Sequence, residues 1–391
     1  MKHIVIVGTK RTPIGKFQKS LRQLSAVQLG TIASKAAIRD AKVKPEQIDQ
    51  TIFGNVLQAG AGQNVARQIE IKAGLSDHST AYTVNQVCGS GMRAIRDGEA
   101  SLLMGDAKIV LVGGTESMSN APFICQKIRS PHKYGDVPLK DDLQTDALFD
   151  AFSQRPMGLT AENVAQRYHV SRIQQDRFAL ASQRKAANAQ NHHYLDSEIV
   201  PVKIQTPTGI KIFKHDESIR RNTNLNKLAR LKSVFKKDGT VTAGNSSGLS
   251  DGASAIVMTT DQTAHQLGLK PLARIEGYAE AGINPQLMGY APYYAVKKLF
   301  HKNHLNLSNI DLVELNEAFA SQSIAVARDL HIPKDKLNIT GGAIALGHPL
   351  GDSGSRIIIT LIDNLKRTHQ HSGLATLCIG GGMGMAMHIT C

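Results

Sequence analysis

An α/β fold is predicted, built from two similar halves with a separate segment inserted between them. Three observations predict it. Strand-like and helix-like segments alternate through the first third of the 391 residues and again through the last third. Such alternation places helices on the faces of a parallel or mixed sheet. Each of these thirds also closes on a buried strand that runs into glycines, "VLVGGTESM" in one and "LCIGGGMGM" in the other, a weak internal echo. Between them, over about residues 119 to 250, the alternation breaks.

In the first third, "HIVIVG" (3–8) reads as a buried strand and "SAVQLGTIASKAAIRDA" (25–41) as a helix capped by Ser25. "TIFGNVL" (51–57) is a strand, "GQNVARQIEIKAG" (62–74) a helix, and "TAYTVNQV" (80–87) a strand. "GMRAIRDGEASLLMGD" (91–106) is a helix and "AKIVLVGGTES" (107–117) a strand. In the last third, 254–260, 272–282 and 310–318 read as strands, 292–303 as a helix, and another helix starts near Phe319. A helix follows at 355–367, then a strand, a glycine turn and a strand over 374–389. The middle holds two helices in 160–190, the second capped by Ser171, and a small hairpin in 197–213. From Lys203 to Lys237 it is basic, with Lys211, Lys214, Arg220, Arg221, Lys227, Arg230, Lys232, Lys236 and Lys237. An insertion of this length with its own elements points to function rather than to a structureless loop.

Composition narrows the function classes. Hydrophobic residues are 41% and charged residues 20%, as in ordinary globular proteins. No apolar run is long enough to cross a bilayer. "MKHIVIVGTKRTPIG" enters a strand pattern without the features of a signal or transit peptide, and "MAMHITC" carries no retention or peroxisomal tag, so the cytoplasm is expected. The net charge of +14 fits nucleic acid, a membrane surface or a small polyanion. Aromatic residues at 5%, no tryptophan and no recognised binding motif argue against nucleic acid. Four cysteines make neither a disulfide framework nor a zinc pattern. Cys125 reads as a small buried hydrophobe and Cys391 as an incidental terminal residue.

Four segments carry chemistry. In "NQVCGSGMRAI" (85–95), a strand leads into Cys88, small residues follow, and a helix begins. A thiol at a helix N-terminus faces free N–H groups, which can lower its pKa from roughly 8.5 to about 3.5–7.5. A packing cysteine fits that segment alone equally well. In "GGAIALGHPLGDSGS" (341–355), His348 lies on a glycine-rich loop before a helix, which suits a general base or a donor, or a histidine bonded to its own loop. In "NEAFA" (316–320), Asn316 stands where a strand hands over to a helix and can hold a water or an oxygen. "CIGGGMG" (378–384) places Cys378 at a strand end beside free N–H groups.

Together these motifs resemble the thiolase family. "MGLTAENVA" (157–165), "TVTAGNSSGLSDGA" (240–253) and "GGTESMS" (113–119) add to the likeness, which spans essentially the whole chain. The resemblance implies a thiolase-like fold: two βαβ-rich halves with mixed five-stranded sheets in a layered arrangement, plus an inserted loop domain. The halves would be 1–118, continued at 250–271, and 272–391, with a loop domain at 119–249 that binds CoA. It implies that Cys88 carries the acyl group as a thioester and that His348 activates it. His348 would also help hold a thioester oxygen, with a water bound by Asn316. Cys378 would be the acid/base at the substrate α-carbon. The backbone N–H groups of Cys88 and Gly380 would form a second oxyanion site. Met157 would line the pocket, Met288 and Phe319 would join it as substrate-binding positions, Ser247 would lie near the pantetheine arm, and Arg220 would contact CoA. The implied activity is interconversion of two acetyl-CoA with acetoacetyl-CoA and CoA, without a metal or further cofactor, in a homodimer or homotetramer. The rival implications are a broader 3-oxoacyl-CoA thiolase, a decarboxylating 3-oxoacyl synthase, and a non-catalytic acyl-CoA-binding relative. Cys378 and "NEAFA" argue against the synthase, and the presence of Cys88, His348 and Cys378 together argues against the binder.

Departures from the family pattern cluster in three places. Pro156 precedes Met157-Gly158 where "HMG" is usual. "GYAPYYA" (289–295) brings Tyr290, Ala291, Tyr293 and Tyr294 in place of a "GTGPVPA"-like stretch. Asp352 and Ser355 follow His348 where alanine is common. The bulk of Tyr293 and Tyr294 predicts a narrowed acyl pocket and a preference for short chains.

Overall fold

The computed structural model describes residues 2–130 and 132–391. The first half contains β1 (Ile4–Arg11), α1 (Ala26–Ala41), β2 (Gln50–Gly54), α2 (Val65–Ala73), β3 (Thr80–Val84), α3 (Ser90–Met104) and β4 (Ile109–Ser117). The insertion contributes α4 (Gly158–Arg167), α5 (Arg172–Asn191) and the hairpin Val202–Thr206 with Gly209–Phe213. The chain then returns through β5 (Ser250–Thr260) to β6 (Ala273–Gly282), α6 (Ala291–Lys302), β7 (Leu312–Leu315) and α7 (Ala320–Asp329). It ends with α8 (Leu350–Arg367), β8 (Ser372–Ile379) and β9 (Met383–Thr390).

The two halves share one strand plan. The first half orders as β3-β2-β4-β5-β1 and the second as β7-β8-β9-β6. In both, the outer pairs are parallel and the inner pairs antiparallel. The fifth position of the second half is reduced to one parallel bridge, Val313 with Leu337. The halves also join edge to edge, because Ile4–Ile6 of β1 pair antiparallel with Ala273–Ile275 of β6.

Helices α1 and α2 cover one face of the first half, and α6 covers the far face of the second. Helices α3 and α8 lie between the halves and against each other, and α8 touches strands of both. Such a helix must be apolar all round. Ile357, Ile358, Ile359, Leu361, Ile362 and Leu365 of α8 are all fully buried, each worth roughly 1.5–3 kcal/mol.

Helix α8 starts at Leu350, five residues before the start expected from its sequence. Its first turns carry Gly351, Ser353 and Gly354, a composition that reads as loop. Packing overrides propensity there. A Cβ on Gly354 would lie 2.4 Å from the Met92 nitrogen, and one on Gly91 would lie 2.7 Å from the Ser355 nitrogen. Glycine is therefore the residue that lets α3 and α8 cross this closely.

Ser171 caps α5 as expected, in a reciprocal capping box with Gln174. The buried Arg11 at the end of β1 anchors the insertion to the first half. It donates to Glu198 at 2.6 Å and to Asp216 at 2.8 and 2.9 Å.

The tyrosines of 289–295 do not narrow an acyl pocket. Tyr290 stacks on Tyr168 at the end of α4, with ring centroids 3.9 Å apart. Tyr293 stacks on Tyr290 at 5.1 Å and Tyr294 meets it edge-on at 5.8 Å. The Tyr290 hydroxyl donates to Asp329 Oδ2 at 2.7 Å. The aromatic group thus clamps the insertion to α6 and α7. None of the three tyrosines lines the cavity that holds Cys88 and Cys378. Ala291 packs against the chain at Gly384, where an added Cβ would come within 2.6 Å of the Ala291 carbonyl carbon.

Candidate active site

Cys88 sits in a tight turn between β3 and α3. Val87 takes a left-handed φ of 47°, and the N–H groups of Gly89 and Ser90 bond back to the Gln86 and Val87 carbonyls. Gly89 is the N-cap of α3, and an added Cβ on it would lie 2.6 Å from Ile379 Cδ1. The thiol is buried at 7% exposure. The backbone N–H groups of Gly380 and of Cys88 itself bond to it and lower its pKa, but burial outweighs them and pushes it up to about 12. This reverses the lowered value expected from the helix N-terminus, because desolvating a thiolate costs more than two N–H groups return. The resting group is a neutral thiol. The rate of Cys88 alkylation by iodoacetamide should therefore keep rising from pH 7 to pH 10. A plateau near the ordinary thiol value would contradict the burial argument.

His348 is buried on the loop between the short helix Ala343–Leu346 and α8. Gly347 before it has φ 113°, and a Cβ there would lie 2.2 Å from Ser250 Oγ. Burial, with help from the Arg356 charge, pushes the imidazole down to about 3. It is neutral at physiological pH. Its Nδ1 lies 2.5 Å from Ser353 Oγ and its Nε2 lies 3.4 Å from Asn316 Nδ2. Asn316 is fully buried at the end of β7, and its Oδ1 faces Arg356 Nη2 at 3.5 Å. Arg356 in turn lies 3.8 Å from Glu314. That order of partners turns the amide so that its NH2 faces the imidazole.

Three supporting residues escaped the sequence reading. Glu116 at the end of β4 accepts from Asn55 Nδ2 at 2.8 Å and from the N–H groups of Val56, Leu57 and Gly351 at 3.1, 3.1 and 2.9 Å. It ties the start of α8, and so the His348 loop, to the first half. Ser353 and Arg356, one and two turns into α8, touch His348 and Asn316. The available signal was a charged residue inside "GGTES" and an arginine in the otherwise apolar "SRIIITLI".

Cys378 lies near the end of β8, opposite Gly384 of β9, and is fully buried. Burial, and the nearby Cys88, push its thiol well above the ordinary range. The turn after it needs glycine: Gly381 and Gly382 both have φ 86°, and a Cβ on Gly382 would lie 2.3 Å from the Ile283 carbonyl oxygen. Met288 and Ala318 pack directly against Cys378, with Met157 and Phe319 alongside.

One cavity of about 520 Å³ brings these positions together. Cys88, His348 and Cys378 line it, with Met157, Met288, Phe319, Ser247 and Arg220. Asn316 lies just behind the imidazole. The rest of the lining is largely apolar and includes Met118, Leu148, Phe149, Pro156, Phe235 and Leu249. The N–H and hydroxyl of Ser247 both donate to the Ala318 carbonyl at 3.0 Å, so its oxygen keeps only acceptor capacity. Arg220 also lines a second cavity of about 480 Å³, beside Arg221 and Lys227. Among the described residues no His, Cys, Asp and Glu cluster could hold a metal ion.

Of the departures, Pro156 faces the main cavity. Asp352 and Ser355 do not. Asp352 accepts from Ser254 Oγ, which lies 2.6 Å from Ser355 Oγ, and burial pushes the Asp352 carboxyl up to about 7. These two residues fill the seam between α8 and β5, not the substrate space. Cys125, expected to be buried, is half-buried, and Cys391 is exposed.

A buried nucleophile-type cysteine, a neutral imidazole and a second cysteine around one cavity define a protein of thioester chemistry, and the chain belongs to the thiolase family. Residues 4–262 match the family model "Thiolase, N-terminal domain" and residues 269–391 match "Thiolase, C-terminal domain". The chain is 47% identical over 390 residues to a protein of Cupriavidus necator named acetyl-CoA acetyltransferase, covering 100% of this chain and 99% of that one. It is 48% identical over 387 residues to a protein of the same name from Paracoccus denitrificans, covering 99% of each. The fold is similar to that of the Bacillus anthracis acetyl-CoA acetyltransferase, with a TM-score of 0.97 at 38% identity over 100% of this chain and 99% of that one. It is also similar to human mitochondrial 3-ketoacyl-CoA thiolase in complex with CoA, with a TM-score of 0.96 at 41% identity over 100% of this chain and 98% of that one.

Proposed function

We propose that this thiolase is an acetyl-CoA C-acetyltransferase that interconverts two acetyl-CoA with acetoacetyl-CoA and CoA. The observation that carries the reading is the single cavity in which Cys88, His348 and Cys378 meet. The names of the two bacterial relatives support acetyl as the acyl group. In the first half-reaction the Cys88 sulfur attacks the thioester carbon. Its proton passes to His348 Nε2 and then to the departing CoA sulfur. In the second, Cys378 removes a proton from the methyl carbon of another acetyl-CoA. The resulting carbanion attacks the acyl carbon, Cys88 leaves as thiolate, and the proton taken up by Cys378 passes to Cys88, which returns Cys378 to the thiolate that began the step. The N–H groups of Cys88 and Gly380 stabilise one oxyanion. His348 and a water held by Asn316 serve the other. Claisen chemistry charges two different oxygens in turn, so it needs both sets of donors.

The 119–249 segment serves as the CoA-binding loop domain between the halves at 1–118 with 250–271 and at 272–391. Its basic residues offset the phosphates of CoA. A homodimer or homotetramer in the cytoplasm completes the reading. Purified protein should form acetoacetyl-CoA from acetyl-CoA, and in the presence of CoA should cleave acetoacetyl-CoA. A broader 3-oxoacyl-CoA thiolase is the second reading. The apolar wall of Leu148, Phe149 and Pro156 favours it. A thiolysis series over chain length separates the two: activity that peaks on long chains and is small on acetoacetyl-CoA replaces the first with the second.

Arg220 offers a test of the coenzyme contact. Charge-assisted bonds to phosphate are worth about 1.5–3 kcal/mol. Arg220→Ala should raise the KM for acetyl-CoA about 10- to 150-fold, and less with a pantetheine thioester. An unchanged KM would make Arg220 a solvated charge.

A further inference from the structure

Asp352 and Ser355, two of the departures from the family pattern, stand with Ser254 of β5 in the seam between β5 and the start of α8, and all three are buried. Their oxygens form a chain of three contacts. The Asp352 carboxyl meets Ser254 Oγ through Oδ1. Ser254 Oγ lies 2.6 Å from Ser355 Oγ. Ser355 Oγ lies 2.9 Å from the Asp352 carbonyl oxygen. A hydrogen bond between two oxygens needs one hydrogen, and each serine supplies one. With the carboxyl ionised, two hydrogens must serve three contacts, and one pair of oxygens is left facing bare. With the carboxyl protonated, three hydrogens serve three contacts. The acid donates to Ser254, Ser254 donates to Ser355, and Ser355 donates to the Asp352 carbonyl. The neutral acid satisfies the whole chain and the carboxylate does not.

The surrounding charges do not reverse this preference. Arg356, one turn further along α8, and Arg11 of β1 favour the carboxylate. Arg11 is already paired with Glu198 and Asp216, and Arg356 faces Glu314 and Asn316. Asp216 of the insertion and Glu116 of β4 oppose ionisation. His348, four residues back, is neutral. Burial is the largest influence and pushes the carboxyl up to about 7. We propose that Asp352 is held as a neutral carboxylic acid and, with Ser254 and Ser355, forms a proton-dependent latch that fastens the first turn of α8 to β5. Ionisation removes the hydrogen that completes the chain, so the latch is whole on the acid side and weaker on the alkaline side. It sits next to Ser353, whose hydroxyl touches His348, and so secures the end of α8 that follows the imidazole loop.

Asp352→Asn supplies the test, because its amide cannot ionise and its NH2 can donate to Ser254 as the neutral acid does. The infrared difference between wild type and variant at pH 6 should contain the carbonyl stretch of one protonated carboxyl, fading with a midpoint near pH 7. Thermal unfolding gives the second readout. A carboxyl whose pKa is raised by folding costs the fold nothing below its ordinary value, and progressively more as the pH rises to the folded value. The Tm of Asp352→Asn relative to wild type should therefore climb by about 3 °C between pH 5 and pH 8. Absence of the protonated-carboxyl band, or a Tm difference that stays constant over this range, overturns the proposal. Failure of Asp352→Asn to fold also overturns it, since the seam would then require the carboxylate.

Discussion

Cys378→Ser should accept an acetyl group from acetyl-CoA at Cys88 and then stop. Cys378 and Cys88 line one cavity but stand on different supports, the end of β8 and the turn before α3. A change at one leaves the other's backbone in place. The serine hydroxyl is a much weaker acid than a thiol and cannot serve as the base for a carbon acid. Loss of a general acid–base group costs about 10²- to 10⁴-fold. Condensation and thiolysis should fall by that factor, and so should exchange of the acetyl methyl protons with deuterated water. The covalent acetyl group at Cys88 should form at close to the wild-type rate. Condensation by Cys378→Ser at near the wild-type rate would assign the proton transfer to another residue.

Gly380→Ala should be nearly as damaging, although alanine adds one methyl group. Its Cβ would meet Met157 Cε at 2.5 Å and Val87 Cγ1 at 3.2 Å. Methionine can move, but Val87 is held in its left-handed conformation beside Cys88. The glycine turn must therefore shift, and with it the N–H that points at the Cys88 sulfur. Loss of one oxyanion donor costs about 10²- to 10³-fold in kcat. We expect a fall in kcat of roughly that size. Alkylation of Cys88 by iodoacetamide, which develops no oxyanion, should change far less. Retention of full kcat would mean that the Gly380 N–H contributes nothing to the transition state.

Much of the fold was legible because each half is written in periodic segments. β1, α1, β4, α5 and β9 lie within a few residues of their sequence signals. Position 350 was not legible as a helix start. Local propensity there favours a loop, and the contacts that make it helical come from Gly91 and Glu116, more than two hundred residues away. The residues brought together around the cavity were legible, since Cys88, His348, Asn316 and Cys378 each sit in a distinctive motif. Their charge states were not. A helix N-terminus is visible in sequence, but burial of the Cys88 sulfur is a tertiary property and it dominates. The tyrosines at 290, 293 and 294 show the same limit in reverse. Their bulk was evident, yet Tyr168 and Asp329, the partners that take them away from the cavity, lie far off in the chain.

The most direct measurement is peptide mass spectrometry of the protein quenched after brief mixing with acetyl-CoA, for the wild type and for Cys88→Ser. The wild type should carry a single acetyl group, on the peptide that contains Cys88. Cys88→Ser should carry none and should neither condense acetyl-CoA nor cleave acetoacetyl-CoA. An acetyl group found on any other residue of the wild type, or one retained by Cys88→Ser, would contradict acyl transfer through Cys88.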